Sequence, residues 1–171
     1  YAAGMPDEAL RAIGLTVGSD VPFCVSGGTS LAEGRGERLT DLPPLPVCQI
    51  VLCKPDFGIS TPELFVLADG AVLSKRPDIA GLTAALQGGE LTGVTDRLCN
   101  VFEEFLPERY REVFRIKEIL LAHGALNAAM SGSGPTVYGI FESAAEAQRA
   151  AEVLKKSYQQ TYVAKPVKKL V

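Results

Sequence analysis

Three prolines fall within four residues at Pro43-Pro44-Leu45-Pro46. Proline fixes φ and lacks an N–H, so this stretch can enter neither a helix interior nor a central strand. With Asp41 and Leu42 before it, segment 41–46 reads as a stiff, extended connector. It is the best candidate in the sequence for a linker. The chain of 171 residues is therefore divided into residues 1–45 and residues 46–171, a length that suits one domain plus part of another.

Beyond the connector, Val47 to Cys53 is apolar except for Gln49, and fits a strand in a sheet buried on both faces. Thr61-Pro62-Glu63 opens a helix through Ala68, with Thr61 as cap and proline at the first position. Residues 79–122 read as helix in pieces. Pro107 starts the longest, with Val113, Ile116 and Leu120 on one face and Gly124 as its stop. Ala125 to Met130 and Thr136 to Phe141 read as strands around Ser131-Gly132-Ser133-Gly134-Pro135. Ser143 with Glu146 is a capping box opening a helix to about Ser157, and Thr161 to Lys165 is a final strand. Strand, helices, strand, strand, helix, strand is the split βαβ plan of a ferredoxin-like α+β domain.

Before the connector, residues 5–17 read as an amphipathic helix stopped at Gly14. Gly18-Ser19-Asp20-Val21-Pro22-Phe23 starts a short helix over 21–26, which Gly27-Gly28 breaks. Thr29 to Ala32 reads as a strand and Gly34-Arg35-Gly36-Glu37 as a tight turn, because glycine accepts positive φ. These elements lie outside the ferredoxin-like plan and read as the tail of a preceding domain.

The net charge of -3 argues against a basic nucleic-acid surface. No apolar run approaches the length of a membrane span. The four cysteines, Cys24, Cys48, Cys53 and Cys99, form no C-x-x-C pair and sit among apolar neighbours. Reduced, buried thiols in a cytoplasmic protein are expected. The single histidine, His123, falls at a helix end, where its charge would complement the dipole. A zinc site would need spaced Cys and His ligands that the sequence lacks. Lys168-Lys169 reads as a solvated end.

Three stretches could carry chemistry. In the first, Asp20 is either a helix cap or a carboxylate that orients, and can deprotonate, an attacking hydroxyl. In the second, Met130-Ser131-Gly132-Ser133-Gly134-Pro135-Thr136 is either an ordinary hairpin turn or a nest of backbone N–H groups for an anion. It matches neither a Walker A loop nor a dinucleotide fingerprint. In the third, Lys54 to Phe65 leaves a core strand and enters a helix N-terminus. It is either a plain connection, with Phe57 and Phe65 in the core, or part of a binding site.

Together and in this order, Gly18-Ser19-Asp20-Val21-Pro22-Phe23, Gly34-Arg35-Gly36-Glu37, Lys54-Pro55 with Ser60-Thr61-Pro62-Glu63, Asn100-Val101-Phe102-Glu103 and Met130-Ser131-Gly132-Ser133-Gly134-Pro135-Thr136 closely resemble the latter part of the GHMP kinase superfamily. The middle three favour the branch acting on a cytidine diphosphate ester of methylerythritol over homoserine or mevalonate kinases. The resemblance implies a ferredoxin-like C-terminal GHMP kinase domain at 46–171. Residues 1–45 would be the remnant of a ribosomal-S5-like α/β domain. It implies transfer of the γ-phosphoryl of ATP, with Mg, to the substrate's 2-hydroxyl in non-mevalonate isoprenoid biosynthesis. By resemblance, Asp20 is the catalytic carboxylate. Gly132, Ser133 and Gly134 form the phosphate-side loop. Phe65 stacks on cytosine, Thr61 lies close to the substrate, and the backbone of Arg35 lies near the cytosine edge.

The family also has an N-terminal lysine and a glycine-serine-rich ATP loop preceded by a proline; neither precedes Asp20 here. The expectation is a fragment whose partner is the missing N-terminal lobe, and which alone binds ATP poorly and turns over negligibly. Two other readings stay open: another GHMP small-molecule kinase, and a non-catalytic ferredoxin-like module that binds a metabolite or a partner.

Overall fold

The computed structural model describes residues 4–167, so the Lys168-Lys169 end lies outside the described residues. Residues 4–45 with Val167 form one unit, and Pro46–Pro166 the other.

The first unit begins with α1 (Asp7–Val17), whose last turn passes through Gly14 rather than stopping there. Gly14 is kept small by a neighbour: a Cβ on it would come within 2.9 Å of Val21 Cγ1. The chain leaves α1 at Gly18 and turns at once into α2 (Val21–Ser26). Strands β1 (Thr29–Glu33) and β2 (Arg38–Leu42) then make an antiparallel hairpin, pairing Glu33 with Arg38 and Thr29 with Leu42. Asp41 and Leu42 therefore belong to a strand, not to the connector, which shortens at that end to the prolines.

In the second unit, β3 (Gln49–Lys54) is central. Antiparallel neighbours flank it in the order β4 (Asn127–Met130), β5 (Val137–Phe141), β3, β6 (Gln160–Ala164). This is the ferredoxin-like sheet that the order of elements predicts. Two helices cover one face. On α6 (Glu112–Ala122), Val113, Ile116 and Leu120 are fully buried. On α7 (Ala144–Lys155), Ala147, Ala150, Ala151 and Leu154 recur at helical spacing and are equally buried. Three alanines in that stripe let α7 lie close to the sheet. Against both helices stand Val51, Cys53, Ala128, Met130, Val137 and Phe141. Gly139 has no side chain because a Cβ there would stand 3.2 Å from Leu120.

The other face is covered less well: Ile50 and Leu52 are only half-buried and Tyr162 is exposed. The both-faces expectation for β3 is thus corrected. Its continuous apolar run reflects a central place between β5 and β6, not two helical layers.

Between β3 and β4 lie α3 (Thr61–Asp69), α4 (Ile79–Gly88), α5 (Leu91–Thr95) and two 3₁₀ turns, Val101–Phe105 and Glu108–Tyr110. Pro107 precedes the second 3₁₀ turn, and α7 is longer than α6. The cap of α3 is Ser60, whose Oγ accepts from Glu63 N at 3.4 Å, and not Thr61. Asp78 caps α4 through Gly81 N and also holds Arg97; first the Gly81 N–H and then Arg97 keep its carboxyl below the usual carboxylate range. His123 sits at the C-terminal end of α6, its Nδ1 2.7 Å from the Ile119 carbonyl. All four thiols are free, but only Cys48 and Cys53 are buried; Cys24 and Cys99 are exposed, contrary to expectation. Cys24 lies on the exposed side of the short helix α2 and Cys99 in the irregular stretch after α5, so apolar neighbours in sequence did not bury either thiol.

Leu120 carries the clearest stability prediction. Truncation by Leu120→Ala is expected to cost about 2–5 kcal/mol in urea unfolding, since it removes methyl groups from a fully buried site against Gly139. A loss well below 1 kcal/mol would mean that α6 does not pack tightly on β5.

Candidate functional site

Two clusters of motif residues form, one in each unit. In the first unit, Asp20 stands at the N-terminus of α2. Its backbone carbonyl accepts from Cys24 N, but its carboxylate makes no cap hydrogen bond and is exposed. Pro22 supplies no N–H to cap, so the first turn asks little of this side chain. The capping reading of Asp20 is overturned, and the carboxylate is left uncommitted within its helix.

The turn at 34–37 packs onto the same segment. Gly36 has φ +109°, and a Cβ on it would fall 2.7 Å from the Ser19 carbonyl oxygen. Two motifs far apart in sequence are thus brought into contact by a glycine. Glu37 folds back over the turn and accepts from Arg35 N at 2.7 Å. Its carboxyl is held below the usual range, first by its own backbone N–H and then by that of Arg35. The Arg35 N–H is therefore already used.

In the second unit, the turn between β4 and β5 can be accounted for group by group. Ser131 N–H donates to Thr136 O at 2.8 Å, and Gly134 N–H to Ser131 O at 2.9 Å. Met130 N–H donates to Glu103 Oε1 at 2.6 Å. Asn100 Nδ2 donates to both Met130 O and Gly132 O, each at 2.8 Å. Gly132 N–H and Ser133 N–H find no acceptor among the described residues. Gly132 and Gly134 take φ of +56° and +76°, which this tight course requires. A Cβ on Gly134 would also meet Met130 Sδ at 2.5 Å. The turn is a closed loop with two adjacent N–H groups left over.

The first turn of α3 reaches this loop. Thr61 Oγ1 and Ser133 Oγ share a 2.7 Å hydrogen bond, possible because Ser60 does the capping. One helical turn on, Phe65 lies 56% exposed, edge-on to Phe102 at 5.3 Å. Phe57 instead packs against the core and stacks on Tyr110 at 5.5 Å. The core reading thus holds for Phe57 and fails for Phe65. Glu63, on the same helix, is ion-paired with Arg109.

Behind the loop lies an open depression of about 360 Å³, lined in part by Asn100, Phe102, Ser131, Gly132 and Tyr138. The Tyr138 phenol is pushed up by burial, with a smaller contribution from the Glu103 charge. Glu103 itself is ion-paired with Lys117 of α6. Asn100 and Glu103 belong to a recognisable motif, yet nothing in the sequence told which backbone groups they would reach. Lys117 carried no signal at all. Among the described residues no cluster of three His, Cys, Asp or Glu side chains could hold a metal ion.

The sheet order, the glycine-serine turn and the helix that touches it make up one ferredoxin-like α+β domain. Residues 82–160 match the family described as "GHMP kinases C terminal", so this part of the chain is similar to the C-terminal domain of the GHMP kinases. Within that superfamily it is similar to 4-diphosphocytidyl-2-C-methyl-D-erythritol kinases. It is 36% identical to that of Clostridium novyi over 167 residues, 98% of this chain and 60% of the relative. It is 40% identical to that of Alkaliphilus oremlandii over 164 residues, 95% of this chain and 56% of the relative. The crystal structure of a 4-(cytidine 5'-diphospho)-2C-methyl-D-erythritol kinase superposes with TM-score 0.76 at 27% identity, over 97% of this chain and 59% of that one. Mevalonate kinase from L. major, at 15% identity and TM-score 0.68, shares the fold over 99% of this chain and 60% of that one. The chain spans at most about 60% of the length of these relatives.

Gly36→Ala tests the contact in the first unit. The strained φ and the clash with Ser19 are expected to destabilise the hairpin by about 1–3 kcal/mol in urea unfolding. Unchanged stability would mean that the turn does not rest on the Gly18–Asp20 segment.

Proposed function

We propose that the protein containing this chain, with the remaining two-fifths that its relatives possess, phosphorylates the 2-hydroxyl of 4-diphosphocytidyl-2-C-methyl-D-erythritol with ATP, in isoprenoid precursor biosynthesis. The observation that carries this reading is the glycine-serine turn. It leaves two N–H groups free and is tied through Ser133 to Thr61, on the helix that bears Phe65. Phe65 follows Thr61 by four residues, so both share one helix face about 6 Å apart along the axis. An exposed ring at one end and an anion nest at the other suit a nucleoside diphosphate, with a flat base to stack and charged oxygens to bind.

In this reading Phe65 stacks on cytosine and Thr61 stands beside the diphosphate ester. Gly132, Ser133 and Gly134 meet phosphate oxygens. The Arg35 N–H is spent on Glu37, which leaves the Arg35 carbonyl to accept from the cytosine amine. Asp20, uncommitted as a cap, orients the attacking hydroxyl. Phosphoryl transfer asks mainly for positioning and charge stabilisation, and an aspartate with an anion loop supplies both. Magnesium would enter with the ATP phosphates, held by few protein groups; among the described residues no cluster of three His, Cys, Asp or Glu side chains marks a place for it. The division into a residue 1–45 remnant of an N-terminal kinase domain and a C-terminal domain from residue 46 belongs to the same proposal. So does a cytoplasmic location, in keeping with four free thiols. Among the described residues no helix is long and apolar enough to cross a membrane.

The test is a coupled ADP-release assay on the full-length protein with the cytidine-linked substrate, homoserine and mevalonate in parallel. Turnover of the first alone is expected; turnover of either other substrate instead would overturn the assignment. In the same assay Asp20→Asn is expected to lower kcat by about 100-fold or more while leaving KM nearly unchanged. Phe65→Ala is expected to weaken binding of the cytidine substrate by about 1–3 kcal/mol with ATP affinity unaffected. An unaltered KM would remove cytosine stacking from the role of Phe65.

A further inference from the structure

Asn100 lies at the start of the 3₁₀ turn Val101–Phe105, outside the glycine-serine loop, yet it holds two of that loop's carbonyls. Its own orientation is fixed, because Oδ1 accepts from Phe102 N at 3.0 Å, which turns Nδ2 toward Met130 O and Gly132 O. Beside it, Glu103 takes the Met130 N–H and is anchored by Lys117 of α6. The loop thus rests on a polar shelf rooted in the helical layer.

In a trans peptide the C=O and the N–H point in opposite directions. Both peptides in question are trans, the described cis bond being Gly134-Pro135. Ser131 C=O is drawn inward by Gly134 N–H, so the N–H of Gly132 in the same plane points outward. Gly132 C=O is held by Asn100, so the N–H of Ser133 is turned away from Asn100. The first of these orientations is set by the loop's own closure. The second depends on Asn100.

We propose that Asn100 is a positioning residue which, by binding the Gly132 carbonyl, aims the Ser133 N–H at a phosphate oxygen during phosphoryl transfer. This rests on the kinase reading of the same loop. A misdirected donor at a reacting phosphate costs rate more than binding, because its hydrogen bond is needed where charge develops.

Asn100→Asp is the informative variant. It keeps the shape and the acceptor for Phe102 N–H, but it sets a carboxylate oxygen against two carbonyls. In the full-length protein its kcat is expected to fall about 100-fold, far more than KM for the cytidine-diphosphate substrate rises, because α3 and Phe65 are untouched. A second readout is the ¹⁵N–¹H spectrum titrated with inorganic pyrophosphate. In the wild type the Gly132 and Ser133 amides both shift; in Asn100→Asp the Ser133 response is lost and that of Gly132 persists. A folded Asn100→Asp with wild-type kcat overturns the proposal. So does a wild-type Ser133 amide that ignores pyrophosphate, a result that also decides the matter if the variant does not fold. A wild-type protein that phosphorylates no cytidine-linked substrate overturns the kinase reading instead, and the titration still reports where Ser133 points.

Discussion

The pairing of β5 with β3 at the centre of the sheet is the constraint on which the candidate site depends. Val137 lies opposite Cys53 and Phe141 opposite Gln49, and β4 is paired to β5 at its far side. The turn between β4 and β5 therefore leaves the sheet at a fixed place, beyond Met130 and Val137. Both are fully buried. A register slip of one residue would drive their neighbours into the core instead. The loop is short, rich in glycine and free of charge, yet it is rigidly founded, because the apolar residues at its base cannot move without opening the helix-covered face.

Polar groups then finish what packing begins. The backbone groups at the base of the loop find partners in Asn100, Glu103 or the loop itself. Leaving such groups unsatisfied would cost free energy near the core, so the arrangement has few alternatives. The two N–H groups that remain are the loop's chemical output. Thr61 adds a hydroxyl from the first turn of α3, free for this because Ser60 carries the capping. A shift of one residue in which hydroxyl caps the helix changes what the site can offer.

Electrostatics obeys the same economy. Of the carboxylates with lowered pKa, Glu37 and Glu104 accept from backbone N–H groups in loops, and Asp78 from the Gly81 N–H in the first turn of α4. Glu104 holds Ser74 and Lys75 in this way, tying the stretch after α3 to the 3₁₀ turn that begins beyond Asn100. These are exposed groups that shape loops, and the folded core contains no buried lone charge among the described residues. Asp20 is different in kind, since its carboxylate takes no part in shaping its helix.

Much was legible in the sequence. The prolines at 43–46 mark where the two units divide. Helical and strand periodicities place α2, α6, α7 and β3 to β6 within a few residues, because backbone period and side-chain burial are local properties. The capping box at Ser143 and the glycine turns were equally local signals. Only the tertiary structure decided that Gly14 continues a helix, that Ser60 rather than Thr61 caps α3, and that Cys24 and Cys99 stay at the surface. It alone brought Gly36 onto Ser19, and Asn100 onto a carbonyl 32 residues away. The reason is physical: a sequence fixes which groups can donate, accept or pack, but the partner each one finds is chosen by the sheet and helices that carry distant residues to the same point.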